Sequence, residues 1–522
     1  MTHPKLVEAM SKPDFYPHRP ASVELVQTHI SFVFIAGERV YKVKKAVDFG
    51  FLDFTTLEKR KHYCEEELRL NRRLAPEAYR EVVAIAEDAS GELRLGTGRA
   101  VDYAVVMKKL PLDRMLKKLL AEGKVPPEAM DAVAAKVAAF HAAAETGGEI
   151  DEMGSIETIR YNHDENFEQT APYVGRTIAR SRYAFLKDWV HRFLEKEQPL
   201  FEKRVADHRI RDCHGDLHAE HICLADGIVI FDCIEFNKRF RFGDVAAEAA
   251  FLAMDLDYNG YPGHARAFVE AYVRHSGDGD VWRLLDFYRC YYAYVRGKVT
   301  SFRLDDPHIE SAQRDDAARA GSQYFDLAFS YAARPAKKTL ILVAGLMGTG
   351  KSVFARALAP LVGAEIVQTD AVRKEMLRIP PSEHRYEGFG EGIYSAEVSR
   401  RTYASALEVA LEKLKTAGAV IVDGSYKSRR ERALAFEAAR RAGAEAFLVE
   451  CTCPEAVVEA RLRARESDGG DISDGRWEIF QAQRGAFETI DEIPGEFRLV
   501  VDTSLDAGEN AFAALRRLSG LG

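Results

Sequence analysis

No apolar run in this 522-residue sequence approaches the roughly 18 residues that a membrane-spanning helix requires. The opening MTHPKLVEAMSKPDF holds no apolar stretch fit for a signal peptide. Cysteine is scarce: seven, an odd number without framework spacing, which excludes a disulfide scaffold and predicts free thiols in a reducing compartment. Internal repeats and low-complexity tracts are absent, which excludes solenoids and collagen-like chains. Basic residues do not outnumber acidic ones. The 73 Lys and Arg against 81 Asp and Glu give a net charge of −8, which argues against bulk nucleic-acid coating but not against a local basic patch. What remains is an ordinary globular composition, 47% hydrophobic and 30% charged. At roughly 150 residues per domain it predicts two to four domains. A cytoplasmic protein with no membrane partner is expected.

Two grammars divide the chain. From about Val23 to Lys109 strands surround one helix. HISFVFI and RVYKVKK flank Ala36-Gly37-Glu38, a hairpin turn. Thr55-Thr56-Leu57-Glu58 reads as a capping box opening a helix through about Leu74, with Leu57, Cys64 and Leu68 on one face. VVAIA (82–86), ELRLG (92–96) and YAVVMK (103–108) are further strands. Residues 111–331 read as mostly helical, interrupted by a chemically dense stretch from Cys213 to Asp244. The polar segment AARPAKK (332–338) reads as a linker. Beyond it, LILVAGL (340–346), EIVQTD (365–370), AVIVDGS (419–425), AFLVECT (446–452) and FRLVVDT (497–503) alternate with helical stretches, which predicts a parallel sheet covered on both faces.

The strongest signal is Gly345-Leu346-Met347-Gly348-Thr349-Gly350-Lys351-Ser352, a complete phosphate-loop pattern between an apolar strand and a helix in which Val353, Ala357 and Leu361 share a face. Glycines let the backbone fold tightly around a β-phosphate with its N–H groups inward, and the helix N-terminus adds a favourable dipole. Gly345, Gly348, Thr349 and Gly350 therefore form the cradle, Lys351 reaches the β/γ-phosphates, and the Ser352 hydroxyl ligates Mg²⁺. Asp423, ending the third strand, is expected to hold Mg²⁺; a turn residue is the plainer reading. Asp370, ending the second strand, would lie across the crevice from the loop as general base, or serve as a helix N-cap. Arg461, Arg463 and Arg465 follow the fourth strand and would close over the phosphates, or line a solvated helical face.

The phosphate loop, TDAVRKEML and IVDGS, with arginines after strand four, resemble the small P-loop kinases, a group that includes gluconate kinase, phage polynucleotide kinase and the zeta-toxin sugar-nucleotide kinases. The resemblance covers most of 339–504. It implies phosphoryl transfer from ATP to a hydroxyl, with Asp370 as base, Arg373 near the acceptor, and Arg461 and Arg465 on the nucleotide.

A second motif, Cys213-His214-Gly215-Asp216-Leu217-His218, precedes a strand, GIVIFD, that ends at Asp232. An aspartate in a turn followed by another at a strand end is the two-carboxylate logic of kinases, one for the hydroxyl and one for the metal. Upstream, Lys42 lies in a strand and Glu67 on the next helix, a pair of the kind that positions ATP phosphates. These pieces resemble the aminoglycoside phosphotransferase and choline kinase family over roughly 21–330. The resemblance implies Asp216 as catalytic base, Asp232 as metal ligand, Lys42 as phosphate lysine with Lys44 as a weaker substitute, Glu67 as its partner, and VMKKL (106–110) as the hinge near adenine. Where the family places a metal-ligating asparagine, this sequence has His221, and imidazole is a poor partner for Mg²⁺. The N-terminal half also lacks a glycine-rich loop. Cys213, His214, His218, His221, Cys223 and Cys233 suggest zinc by density, but their spacings match no standard finger, and the three cysteines read as buried small hydrophobes. Asp244 reads as a helix cap or loop-structuring aspartate, and His141 as a packed histidine.

The expected fold is an α+β kinase-like N-terminal domain (1–331) with a small β lobe and a helical lobe, a linker (332–338), and an α/β P-loop domain (339–522) with a parallel sheet. The expected function is an ATP- and Mg²⁺-dependent phosphotransferase acting on a small-molecule hydroxyl. Two alternatives stand beside it. One is a nucleotide-dependent switch with a pseudokinase N-terminal domain. The other is a nucleic-acid end kinase, suggested by Lys427, Arg429, Arg430 and Arg432 but weakened by the lack of interleaved aromatics.

Overall fold

Alternation in Arg39–Lys44 sets the faces of the first sheet: Tyr41 and Val43 are buried on one side, while Lys42 and Lys44 share the other. In the computed structural model this strand (β3) pairs antiparallel with β2 (Ser31–Ala36) through the expected hairpin, in which Gly37 takes a left-handed φ of 64°. With β1 (Val23–Gln27), β4 (Tyr79–Glu87), β5 (Leu93–Leu95) and β6 (Arg99–Lys108) it makes a six-stranded sheet in the order β1-β2-β3-β6-β4-β5. The structure describes residues 4–225, 227–307, 309–335, 337–380, 388, 390–468 and 477–521, without the side chains of 465–468 and 478. One sheet face is covered by Leu6, Met10 and Tyr16 from the N-terminal segment, which the sequence reading left outside the β lobe. The other face meets helix Leu57–Asn71 through Cys64, Tyr79 and Val105.

That helix starts one residue later than the capping-box reading: Thr56, not Thr55, is the N-cap, accepting from the Lys59 amide at 3.2 Å. It stops at Asn71 rather than Leu74 because Pro76 disfavours helical geometry just before it, and residues 73–74 continue as turns. Leu57 is half-buried, so the apolar face rests on Cys64 and Leu68.

Around the dense stretch lie two small antiparallel pairs, β7 (Ile210–Asp212) with β10 (Phe242–Asp244) and the hairpin β8 (Ile222–Ala225) with β9 (Gly227–Ile230). Helices surround them. Val245–Tyr258 is buried nearly all round, as its VAAEAAFLAM run demands, and packs on helices Pro262–Ser276 and Val281–Phe302. Chain contacts divide the molecule into two units, Met1–Tyr183 with Phe193–Ala328, and Ala184–Arg192 with Phe329–Gly522. In the second unit the Phe185 ring meets Phe329 and Phe512.

The second unit carries five parallel strands, β11 (Thr339–Ala344), β12 (Ala364–Gln368), β13 (Ala419–Asp423), β14 (Glu445–Thr452) and β15 (Arg498–Asp502), in the order β12-β13-β11-β14-β15. All five expected runs are strands, and central β11 is buried throughout, as a strand covered on both faces must be. The helix after the phosphate loop, Lys351–Val362, is rotated from the expected phase. It buries Phe354, Ala355, Leu358, Ala359 and Val362, whereas Val353 is 46% exposed. KSVFARALAPLV offers two apolar stripes one residue apart, and only packing against the sheet chooses between them. No helix among the described residues is long and apolar enough to cross a membrane.

Candidate active sites

In the C-terminal unit the phosphate loop leaves β11, and Gly350, at φ 78° and ψ 12°, caps the helix that follows. A Cβ at Gly350 would meet Arg461 Nη1 at 3.1 Å and Thr503 Oγ1 at 3.2 Å, so both its conformation and its neighbours call for glycine. The loop is braced from outside: Thr503 Oγ1 donates to the Thr349 carbonyl at 2.6 Å, and the Met347 amide donates to Gln483 Oε1 at 2.7 Å. The Lys351 ammonium lies over the loop and donates to the Leu346 carbonyl at 2.7 Å.

Asp423 ends β13 as expected and is buried, close to Ser352 and Lys351. Burial raises its pKa above the usual carboxylate range despite Lys351 and Ser352, and the nearby Asp370 charge adds to the rise. Asp370 does not end β12. The strand stops at Gln368, and Asp370 stands in the first turn of helix Thr369–Met376, where Gln368 is the N-cap residue; the residue is thus neither strand end nor cap. One helical turn on, Arg373 pairs with Asp370 and stacks on the Tyr394 ring, its guanidinium carbon 4.6 Å from the centroid. Arg373 is 5% exposed, yet its Nε has no hydrogen-bond partner among the described residues.

The arginine cluster separates. Arg461 donates from Nη2 to the Thr503 carbonyl at 2.7 Å and, with Gly350, Val353, Phe354 and Asn510, lines a cavity of about 210 Å³ beside the loop. Arg463 turns outward to Glu459, and the side chain of Arg465 lies outside the described residues. The other basic stretch is neutralised in part within the fold: Arg432 is wholly buried on Glu492 and the Tyr426 carbonyl, and Arg429 pairs with Asp491.

In the N-terminal unit, Lys42, Glu67, Asp216, His221 and Asp232 converge from four separate segments. Lys42 Nζ lies 2.6 Å from Asp232 Oδ1 and 2.9 Å from Glu67 Oε1. Lys44, on the same strand face, takes the other Glu67 oxygen at 2.7 Å and also binds Glu235. Both lysines thus hold Glu67, but only Lys42 reaches the second aspartate. Burial works against the Lys42 charge, yet Asp232, Glu67 and Glu235 outweigh it and hold its pKa well above the ordinary lysine value. Glu235 itself is pushed up by burial.

The HGDLH turn is built on hidden supports. Gly215 has φ 85°, and a Cβ there would strike the Phe240 carbonyl at 2.8 Å. Glu248 Oε1 accepts from the amides of His214 and Gly215 at 2.8 and 2.6 Å, and its other oxygen meets His141 Nε2 at 2.7 Å. His141 is thus a packed histidine, as expected. Asp244 both caps the following helix, at 2.8 Å from the Ala246 amide, and binds the buried Arg204 with two oxygens. Asp232 is held in a left-handed conformation, φ 63°, that an aspartate tolerates, and its amide donates to the Tyr79 hydroxyl at 3.2 Å. Glu248, Glu235 and Tyr79 were missed at the sequence level. A lone acid within VAAEAAFLAM was the one available signal, because a carboxylate in an apolar run must find partners.

His221 stands between the two aspartates. Its Nδ1 lies 2.9 Å from the Asp216 carbonyl, and its Nε2 lies 3.6 Å from Asp232 Oδ2. Asp216 is flanked by His218 Nε2 at 3.5 Å. Burial would raise Asp216, but the His218 hydrogen bond and the nearby imidazoles hold its pKa below the usual value. Buried His214 is pushed down to about 4. Cys213, Cys223 and Cys233 are buried, and Cys213 and Cys233 have thiol pKa values raised by that burial.

Residues 39–288 match the family model described as "Phosphotransferase enzyme family", and residues 340–490 match the one described as "AAA domain". The uncharacterized protein Rv2004c of Mycobacterium tuberculosis is 30% identical over 452 residues, covering 86% of this chain and 88% of its own, and Mb2027c of Mycobacterium bovis aligns equally. Among solved structures, a choline/ethanolamine kinase family protein from Mesorhizobium loti is similar over 62% of this chain and 99% of its own, at 14% identity and TM-score 0.37. A gluconokinase from Sinorhizobium meliloti covers 36% of this chain and 94% of its own, at 22% identity and TM-score 0.26. The chain belongs to the family of these mycobacterial proteins and is an ATP-dependent phosphotransferase in which a phosphotransferase-enzyme-family domain precedes a P-loop domain.

Proposed function

We propose that the C-terminal domain transfers the γ-phosphoryl group of ATP to a hydroxyl of a small molecule. The observation that carries this reading is the cluster at the strand ends, where Asp423 lies beside Ser352 and Lys351 and the Asp370–Arg373 pair stands in the first turn of the helix that follows neighbouring β12. Lys351 takes the β/γ-phosphates, and the cavity beside Arg461, Thr503 and Asn510 accepts the base. Ser352 and Asp423 are oxygen donors, a set that suits Mg²⁺, which when bound neutralises phosphate charge. Asp370 takes the proton of the acceptor hydroxyl as its oxygen bonds the γ-phosphorus and the bond to the β-phosphate oxygen breaks, releasing ADP. Arg373, held by Asp370 and Tyr394, orients the acceptor.

The N-terminal domain is read as a nucleotide site in which Lys42 and Glu67 position phosphates, Asp216 faces the acceptor and Asp232 faces a metal. His221 between the aspartates supports a second reading for this half, nucleotide-bound regulation with slow or no transfer under Mg²⁺. The end-kinase reading loses support because Arg432 and Arg429 are engaged within the fold.

The test is a panel of sugars, polyols, amino alcohols and 5′-hydroxyl oligonucleotides, run with radiolabelled ATP on the full chain and on its Lys351→Ala and Asp216→Asn variants. Labelled small molecule that disappears with Lys351→Ala and persists with Asp216→Asn supports the C-terminal assignment. Transfer that survives Lys351→Ala in a folded protein refutes it.

A further inference from the structure

The metal-facing donors of the N-terminal site do not match the all-oxygen octahedral shell that Mg²⁺ demands. A backbone carbonyl can only accept, so the 2.9 Å contact to the Asp216 carbonyl places a proton on His221 Nδ1, and in the neutral imidazole Nε2 is then the nitrogen with a lone pair to offer a metal. That lone pair faces Asp232 Oδ2 at 3.6 Å, while the other Asp232 oxygen is engaged by Lys42 at 2.6 Å. Two donors bound to one tetrahedral ion at about 2.1 Å stand roughly 3.4 Å apart, so His221 and Asp232 need move only a few tenths of an ångström to share one. An imidazole oriented through its other nitrogen by a carbonyl is also the usual outer-shell arrangement of a metal-ligating histidine. His218 plays a different part. Its Nδ1 accepts from the Glu220 amide at 3.3 Å, so Nε2 carries the proton and points it at Asp216 Oδ2. Asp216, His218 and His221 together bring their donor atoms within 4.8 Å of one another. With His218 acting as donor, Asp216 is the second carboxylate, beside the His221–Asp232 pair.

We propose that this site binds a first-row divalent metal ion, of the series Zn²⁺, Co²⁺ and Mn²⁺, between His221 Nε2 and Asp232 Oδ2, in preference to Mg²⁺. The proposal rests on the reading of Asp232 as the metal-facing carboxylate but not on any transfer activity. Nitrogen ligation favours these ions in the order Mn²⁺ below Co²⁺, with Zn²⁺ comparable to Co²⁺, and Mg²⁺ gains nothing from it.

The test uses the full chain, stripped with chelator and free of nucleotide, titrated with Co²⁺ while its d–d absorption is followed. One equivalent is expected to bind, unmoved by a large excess of Mg²⁺. His221→Asn is expected to weaken Co²⁺ by at least about tenfold and to leave Mg²⁺ binding equal or tighter. His221→Gln provides a second variant if the first fails to fold by circular dichroism. Equal Co²⁺ affinity in wild type and folded variants overturns the proposal and would assign the ion to the buried trio His141, Cys213 and Glu248. Displacement of Co²⁺ by comparable Mg²⁺, or no Co²⁺ bound to folded wild type, overturns it as well. A separate metal-free ATP titration reports on the nucleotide reading, so the two failures are told apart.

Discussion

The two candidate sites are built in opposite ways. The C-terminal loop is a run of eight consecutive residues that would meet phosphate mostly through backbone N–H groups, and its lysine donates to the Leu346 carbonyl of the same loop. The N-terminal site gathers side chains from β3, helix Leu57–Asn71, the HGDLH turn and the segment after β9, which stops at Ile230 rather than at the expected Asp232, and ties its lysines into carboxylates. Function and stability are therefore separable in the first and entangled in the second. A buried charge pair broken on one side costs far more than a loop lysine lost.

The largest expected effect is at the loop. Lys351→Ala should lower C-terminal phosphoryl transfer by roughly a thousandfold or more, the scale of a lost phosphate clamp, with an unchanged circular dichroism spectrum. A folded variant with full turnover would break the contrast. Next, Asp370→Asn should lower kcat by about a hundredfold or more with ATP affinity nearly unchanged. An equal loss of ATP binding would instead make the Asp370–Arg373 pair a structural brace.

Lys44→Met probes the entangled site. It leaves Glu67 and Glu235 buried without their shared cation, and a loss of about 3–5 kcal/mol in urea unfolding is expected, partly recovered by adding Glu235→Gln. Lys42→Met should act more on ATP affinity than on stability, because its other partner, Asp232, is 40% exposed. A reversal of the two would exchange their roles.

The smallest effect is one of pH. The folded pKa of Glu248 is depressed: burial opposes the charge, but the His141 hydrogen bond and the His214 and Gly215 contacts outweigh it. Its contribution is thus present above the unfolded carboxylate value and lost as pH falls through the lower, folded one. Asp423 is raised, so its burial costs stability as pH rises through the acid range. Hydrogen exchange, corrected for intrinsic rates, should therefore speed up on acidification at residues 213–216 and not at 421–424. The same acid response in both segments would erase the difference.

Local grammar was legible wherever chemistry is contiguous. The phosphate loop, the five parallel strands and the Asp423 strand end follow from apolar runs and spacing that need no partner. Phase was less legible. The helix Lys351–Val362 carries two candidate apolar stripes, and Asp370 sits in the first turn of a helix that the sequence alone runs together with β12. The basic stretch near Arg432 looked like a surface patch because charge in sequence does not report burial.

The sequence by itself determined which residues could do phosphate chemistry: glycines free to turn, a lysine and serine beside them, an aspartate ending β13, and a histidine in place of an amide at 221. Only the tertiary structure decided that both Lys42 and Lys44 grip Glu67, that Glu248 carries the HGDLH turn, and that His221 aims one nitrogen at Asp232 while a carbonyl holds the other. The reason is physical. Hydrogen bonds and ion pairs between residues far apart in the chain depend on register and packing, to a few tenths of an ångström, whereas local spacing fixes only which face of a strand or turn a group occupies.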